Sequence, residues 1–177
     1  MPLQTPTAIA LCATLLVSGA AVPQQPQGNP LDAVPDKMPF DIPYGAPVTL
    51  EHANALIAAA VGEARKHDWK LNVAVVDTGG NLVAFQRMDG AQLASIAISQ
   101  HKARTAALFR RETKVFESAV QNNGQTYVMT LDGVIASRGG LPLIAGGKLI
   151  GAIGCSGGTG SQDEVACKSG VAALKGD

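Results

Sequence analysis

Aromatic residues are scarce, 4% of 177 positions, so a large flat ligand has to rest mainly on aliphatic side chains. An excess of one charge is also missing. Fourteen Lys and Arg balance fourteen Asp and Glu, which removes the electrostatic reason to expect nucleic acid as a partner. The three cysteines (Cys12, Cys155, Cys167) and three histidines (His52, His67, His101) form no C-x-x-C and no H-E-x-x-H, so no metal site is assigned. There is no G-x-G-x-x-G. Gly147-Lys148 is followed by Leu149, which is not a Walker loop. No apolar run reaches the roughly 18 residues that read as a membrane span.

The chain opens instead with a shorter apolar run, Ala8 to Val17, followed by the small residues Ser18-Gly19-Ala20. That pattern predicts a signal peptide over residues 1–20, although no Lys or Arg precedes Ala8. The expected location is periplasmic or secreted, with no transmembrane segment in the mature chain. Residues 21–47 are rich in Pro and Gln ("VPQQPQGNP") and predict an extended linker, so that a single domain folds over 48–177. In an oxidising compartment Cys155 and Cys167 can pair, a bridge that depends on a separation the sequence does not give.

Within the domain, Thr49 caps a helix in which Leu50, Ala53, Ile57, Val61 and Ala64 recur every three or four positions. The runs "LNVAVVD" and "NLVAFQR", joined at Thr78-Gly79-Gly80, predict a β-hairpin. Ala91 to Arg110 predicts a long alanine-rich helix, and "ETKVFESAV" a short one. Short strands are then expected at "TYVMTL", "VIASR", "LPLIA" and "KLIGAIGCS", punctuated by Gly turns, before a last helix from Gln162 to Leu174. The expected class is α+β, with a central antiparallel sheet flanked by helices.

Gly154-Cys155-Ser156-Gly157-Gly158 has the form G-x-S-x-G. A nucleophile elbow needs a histidine after its serine, and none follows Ser156. The stretch reads better as a glycine-rich loop before a helix. There Ser156, Gly157, Gly158 and Thr159 offer backbone N–H groups to an anion, unless Asp163 takes those donors itself.

In order along the chain, "NVAVVDTGGNLVAFQRMDGA", "KARTAALF", "GGLPLIAGGKLIGAIGCSGG" and "QDEVA" resemble the GlcG/HbpS family, which includes the C-terminal domain of PduO-type proteins. The likeness spans about Thr49 to Leu174. It implies a profilin-like α/β sandwich with about five strands, assembly into homo-oligomers, and haem as the ligand. The implied function is an exported haem or tetrapyrrole-binding protein, non-catalytic, in haem uptake, storage or sensing. An enzyme or accessory protein acting on a small carboxylic acid such as glycolate, through Asp77, Arg87 and the glycine-rich loop, is the alternative.

Candidate haem contacts follow from residue chemistry. His101 lies on a helical stripe with Ile98, Thr105 and Leu108, which suits either an axial ligand or a partly buried histidine bonded to a carbonyl. His52 is a second candidate, with Met88 a weaker one. Arg87, Lys102 and Arg104 can supply charge for propionates, or form an internal ion pair and a solvated helix face.

Overall fold

The computed structural model describes residues 32–174, so the expected signal peptide and most of the expected linker lie outside the described residues. The chain divides after Lys37, and the architecture below is that of the unit from Met38 onward.

Thr49 is the N-cap of α1 (Leu50–Lys66), its hydroxyl accepting from His52 N–H, and α1 buries Ala53, Leu56, Ile57, Ala60, Val61 and Ala64. The hairpin follows as β1 (Asn72–Val76) and β2 (Leu82–Arg87). Asp77 closes its turn, accepting from the N–H groups of Gly79 and Asn81, each at 2.8 Å. Next come α2 (Ala94–Leu108), α3 (Thr113–Gln121), β3 (Gly140–Ala145), β4 (Lys148–Ser156) and α4 (Gly160–Ala173).

The sheet is antiparallel in the order β2-β1-β4-β3. β1 is buried along its whole length, because helices cover both of its faces. Val73, Val75, Ile153 and Cys155 face α1 and α4, and Ala74, Val76 and Ala152 face α2. The result is three layers, α1/α4, sheet, and α2.

The layer against α2 is thin because Gly140 and Gly154 stand opposite each other beneath it. A Cβ at Gly154 would lie 2.1 Å from Ser99 O, and one at Gly140 2.3 Å from Lys102 O. The helix backbone occupies that space.

Four strands form where about five were expected. "TYVMTL" becomes a 3-10 helix over Thr126–Thr130, burying only Val128, and "VIASR" runs as an irregular loop. A further strand beside β3 would find its edge closed. Thr113 Oγ1 accepts from Gly140 N–H at 2.9 Å, and Pro142 has no N–H to offer. Tyr127 and Met129 stay exposed, and Thr105 on α2 holds the loop by bonding to Gly133 O and Ile135 N–H.

Folded contacts also begin before Val48. Leu149 N–H donates to Pro43 O, Gly45 N–H donates to Leu149 O, and Arg110 Nη1 donates to Ile42 O. Arg111 lies over the Phe40 ring, 3.2 Å from its centroid. The C-terminal part of the expected linker is therefore part of the domain.

Candidate functional site

A cleft of about 740 Å³ opens between α2 and the β1–β2 hairpin. Ala97, Gln100, His101 and Arg104 form its helical wall, and Val76, Asn81 and Leu82 form the opposite one. α2 packs on β1, β3 and β4 and leaves β2 largely uncovered, so Leu82 remains 51% exposed at the rim. Arg104 lies across the turn: a Cβ on Gly80 would come within 2.9 Å of its Cγ, and φ is +78° there, so glycine is required on both counts.

His101 is exposed and its ring makes no hydrogen bond among the described residues, so the expected carbonyl-bonded, partly buried histidine is not seen there. Its expected stripe splits. Thr105 is fully buried and tied to the 133–135 loop, whereas Leu108 is 40% exposed. His52 is exposed on α1, on the far side of the sheet. One chain does not bring both imidazoles to one iron.

The other candidates scatter. Met88 is buried in the α1/α4 core, with its N–H on Leu71 O. Lys102 is neither a propionate clamp nor a solvated face. It is 2% exposed and donates to Asp163 Oδ2 at 2.8 Å, an internal pair. Arg87 lines a separate cleft of about 260 Å³ at the other end of β2 from Leu82, roughly 16 Å away at 3.3 Å per residue.

Two N–H donors of the glycine-rich loop are already engaged. Gly158 N–H donates to Asp163 Oδ1 at 3.0 Å, and Thr159 N–H to Gln162 Oε1 at 2.8 Å, while Thr159 Oγ1 accepts from Gln162 N–H. This capping box leaves an anion none of those groups. Ser156 is 4% exposed at the end of β4, opposite Asn72, and all three histidines are exposed on or beside helices elsewhere. The small-acid constellation also breaks up. Asp77 closes the turn at one end of the hairpin, with Arg87 at the other. Burial would raise the Asp77 pKa, but the hydrogen bonds from Asn81 and Gly79 carry it below the usual range, so it serves the turn as a carboxylate.

Cys155 and Cys167 form a disulfide, Cα–Cα 5.7 Å, with both residues fully buried between β4 and α4. A charged network that joins α3, α4 and the entry to β3 carries no sequence signature. Glu117 accepts from Arg138 Nε at 2.6 Å and from its N–H at 2.7 Å, and Glu164 meets Lys114, Arg138 and Lys168. Sequence reading also missed Asn81, Leu82 and Gln100 as lining residues, because only the fold brings hairpin and helix together. The Gly79-Gly80-Asn81 turn was the one visible hint.

Comparison with known proteins supplies the relationship. The model of the HbpS-like family, described as haem degrading protein HbpS-like, matches residues 48–172. Protein GlcG of Escherichia coli K12 is 48% identical over 104 residues, 59% of this chain and 77% of that protein. The crystal structure of Klebsiella pneumoniae ORFY superposes with a TM-score of 0.71 at 32% identity, over 80% of this chain and 99% of that one. The crystal structure of a PduOC:haem complex superposes with a TM-score of 0.66 at 28% identity, over 72% and 95%.

Proposed function

The chain belongs to the HbpS-like family, and from that premise we propose that it binds haem or a related tetrapyrrole in the cleft beside His101. The observation that carries the reading is an unbonded imidazole and a guanidinium one helical turn apart on the wall of a cleft of about 740 Å³. That volume lies within the range of cofactor-sized sites, about 300–1,000 Å³. Val76, Leu82 and Ala97 supply apolar surface, His101 supplies a nitrogen of the kind that ligates haem iron, and Arg104 a partner for a propionate. Haem in the PduOC complex, on the same fold, supports the ligand class. The site is open and poor in aromatic rings, which fits an affinity in the micromolar range, about −8 kcal/mol.

Leu93, just before α2, is 71% exposed and Leu108, at its end, 40% exposed, apolar surface that a second copy of the chain would cover. We therefore read the protein as a homo-oligomer. The buried Cys155–Cys167 disulfide supports export to the periplasm or beyond, since such bonds persist in oxidising compartments.

Titration of hemin into the purified protein tests the haem reading. The expected result is a saturable Soret shift that His101→Ala weakens at least about tenfold, with His52→Ala as the control. A Soret response equal to that of hemin with an unrelated protein overturns it. Protein-dependent bleaching of the band under hydrogen peroxide, in place of a stable shift, replaces binding by degradation.

A further inference from the structure

We propose that the second cleft, between the end of α1 and the end of β2, binds a small oxyanion, a carboxylate or a phosphate, held by Arg65 and Arg87. Its lining is Arg65, Lys70, Gln86, Arg87, Met88 and Asp89, and its volume is about 260 Å³. That is below the range of drug-sized ligand sites, so the space suits a small ion and not a macrocycle.

The pairing pattern around the cleft carries the argument. Every nearby acid but one already has cationic partners. Glu63 bonds to Lys66 and His67, and Asp68 bonds to Lys70. Those bonds hold both carboxyls below their ordinary range. Among the described residues the guanidinium groups of Arg65 and Arg87 have no ion pair and no hydrogen bond, although the Asp89 carboxylate, likewise without a partner there, shares the lining with them. Three cations therefore face one cleft against Asp89 and the Asp68 carboxylate on Lys70. Two guanidinium forks that lack protein acceptors and share a space with a net positive lining form a recognition element for a planar or tetrahedral oxyanion.

The walls are held in place before any ligand arrives. Arg65 projects from the last turn of α1 and Arg87 ends β2. Met88, next in the chain, is buried, and its N–H donates to Leu71 O at 3.0 Å, which ties the end of β2 to the Lys70-Leu71 segment that leads into β1. The Gly90 turn lies against the Lys70 stem, where an added Cβ would stand 3.7 Å from its Cγ. A backbone fixed at both stems confines the entropic cost of binding to the two arginine side chains themselves.

The test uses the full chain, with ionic strength held constant by chloride while inorganic phosphate, and separately oxalate, is titrated and backbone amide resonances are followed. The expected result is a saturable shift confined to residues 65–70 and 86–90. Arg65→Gln and Arg87→Gln should each weaken it at least about tenfold, the loss expected for one charge-assisted pair. Both side chains are exposed, so both variants should keep the parent melting temperature. Response to phosphate alone identifies a phosphate ligand, response to oxalate alone a carboxylate, and either supports the proposal. Shifts that stay linear, or that persist in the Arg65→Gln/Arg87→Gln double variant, overturn it. Hemin titration of the same double variant is expected to match the unaltered protein, so the oxyanion and haem sites stand or fall separately.

Discussion

Lys102 carries its ammonium into the interior and meets one carboxylate there, Asp163, itself 2% exposed. The Coulomb attraction of such a pair is set against the desolvation of both ions, so the pair adds little net stability, yet removing one member leaves a buried charge. Lys102→Met and Asp163→Asn are each expected to cost about 3–5 kcal/mol, and Lys102→Met combined with Asp163→Asn, which keeps the acceptor for Gly158 N–H, should recover most of the loss. Urea midpoints of the three proteins check this. Single variants within about 1 kcal/mol of the parent would mean that water reaches the pair. The sequence did not disclose this role, because α2 carries alanine on every side and its pattern does not identify which face meets the sheet. The same ambiguity hid the burial of Thr105 and the exposure of His101. Asp163 was legible in part: its position in the first turn of α4 pointed to the Gly158 donor, but nothing in the chain pointed to Lys102.

At the scale of the elements, α2 lies directly against the Gly140–Gly154 pair. Gly154→Ala puts a methyl 2.1 Å from Ser99 O and 2.5 Å from Ala103 N, backbone atoms that cannot rotate away. The helix has to lift off the sheet, an overpacking cost of about 3 kcal/mol or more. Thermal unfolding should show it, and a change below about 1 kcal/mol would mean that α2 shifts freely on the sheet. Because α2 also carries His101 and Arg104, the same variant should disturb the wide cleft. The four strands were readable from turn signals and apolar runs, α1 from its cap and period, and α2 from its alanine content and its lack of Pro and Gly. The expected strands at 126–138 failed for a reason no local pattern carries: Thr113 and Pro142 close the edge on which they would pair.

For the molecule as a whole, the network of Glu117, Glu164, Arg138, Lys114 and Lys168 links α3, α4 and the entry to β3. Burial alone would raise both glutamate pKa values. Hydrogen bonds from Arg138 to Glu117 and from Lys168 to Glu164 outweigh it and hold both below the ordinary value of 4.5. Their contribution is therefore complete above pH 4.5 and is lost as pH falls through the lower folded values. Melting temperature should drop below that pH, and Glu117→Gln, less stable at pH 7, should show a shallower decline. Parallel acid limbs would exclude Glu117 as a contributor. The layered class was legible from the alternation of helices and strands, but the chemistry of the two clefts was not, because each gathers residues from elements that meet only in the folded chain.

The strand order β2-β1-β4-β3 sets a schedule for synthesis. The hairpin of β1 and β2 is complete early, but the inner edge of β1 waits for β4, which ends at Ser156. Until then the growing polypeptide holds an apolar strand with one side unmatched, and a product truncated before Lys148 never acquires its match. Ribosomal stalling or a premature stop between the codons for Arg87 and Lys148 should thus yield a sticky fragment destined for proteolysis, not a smaller working domain.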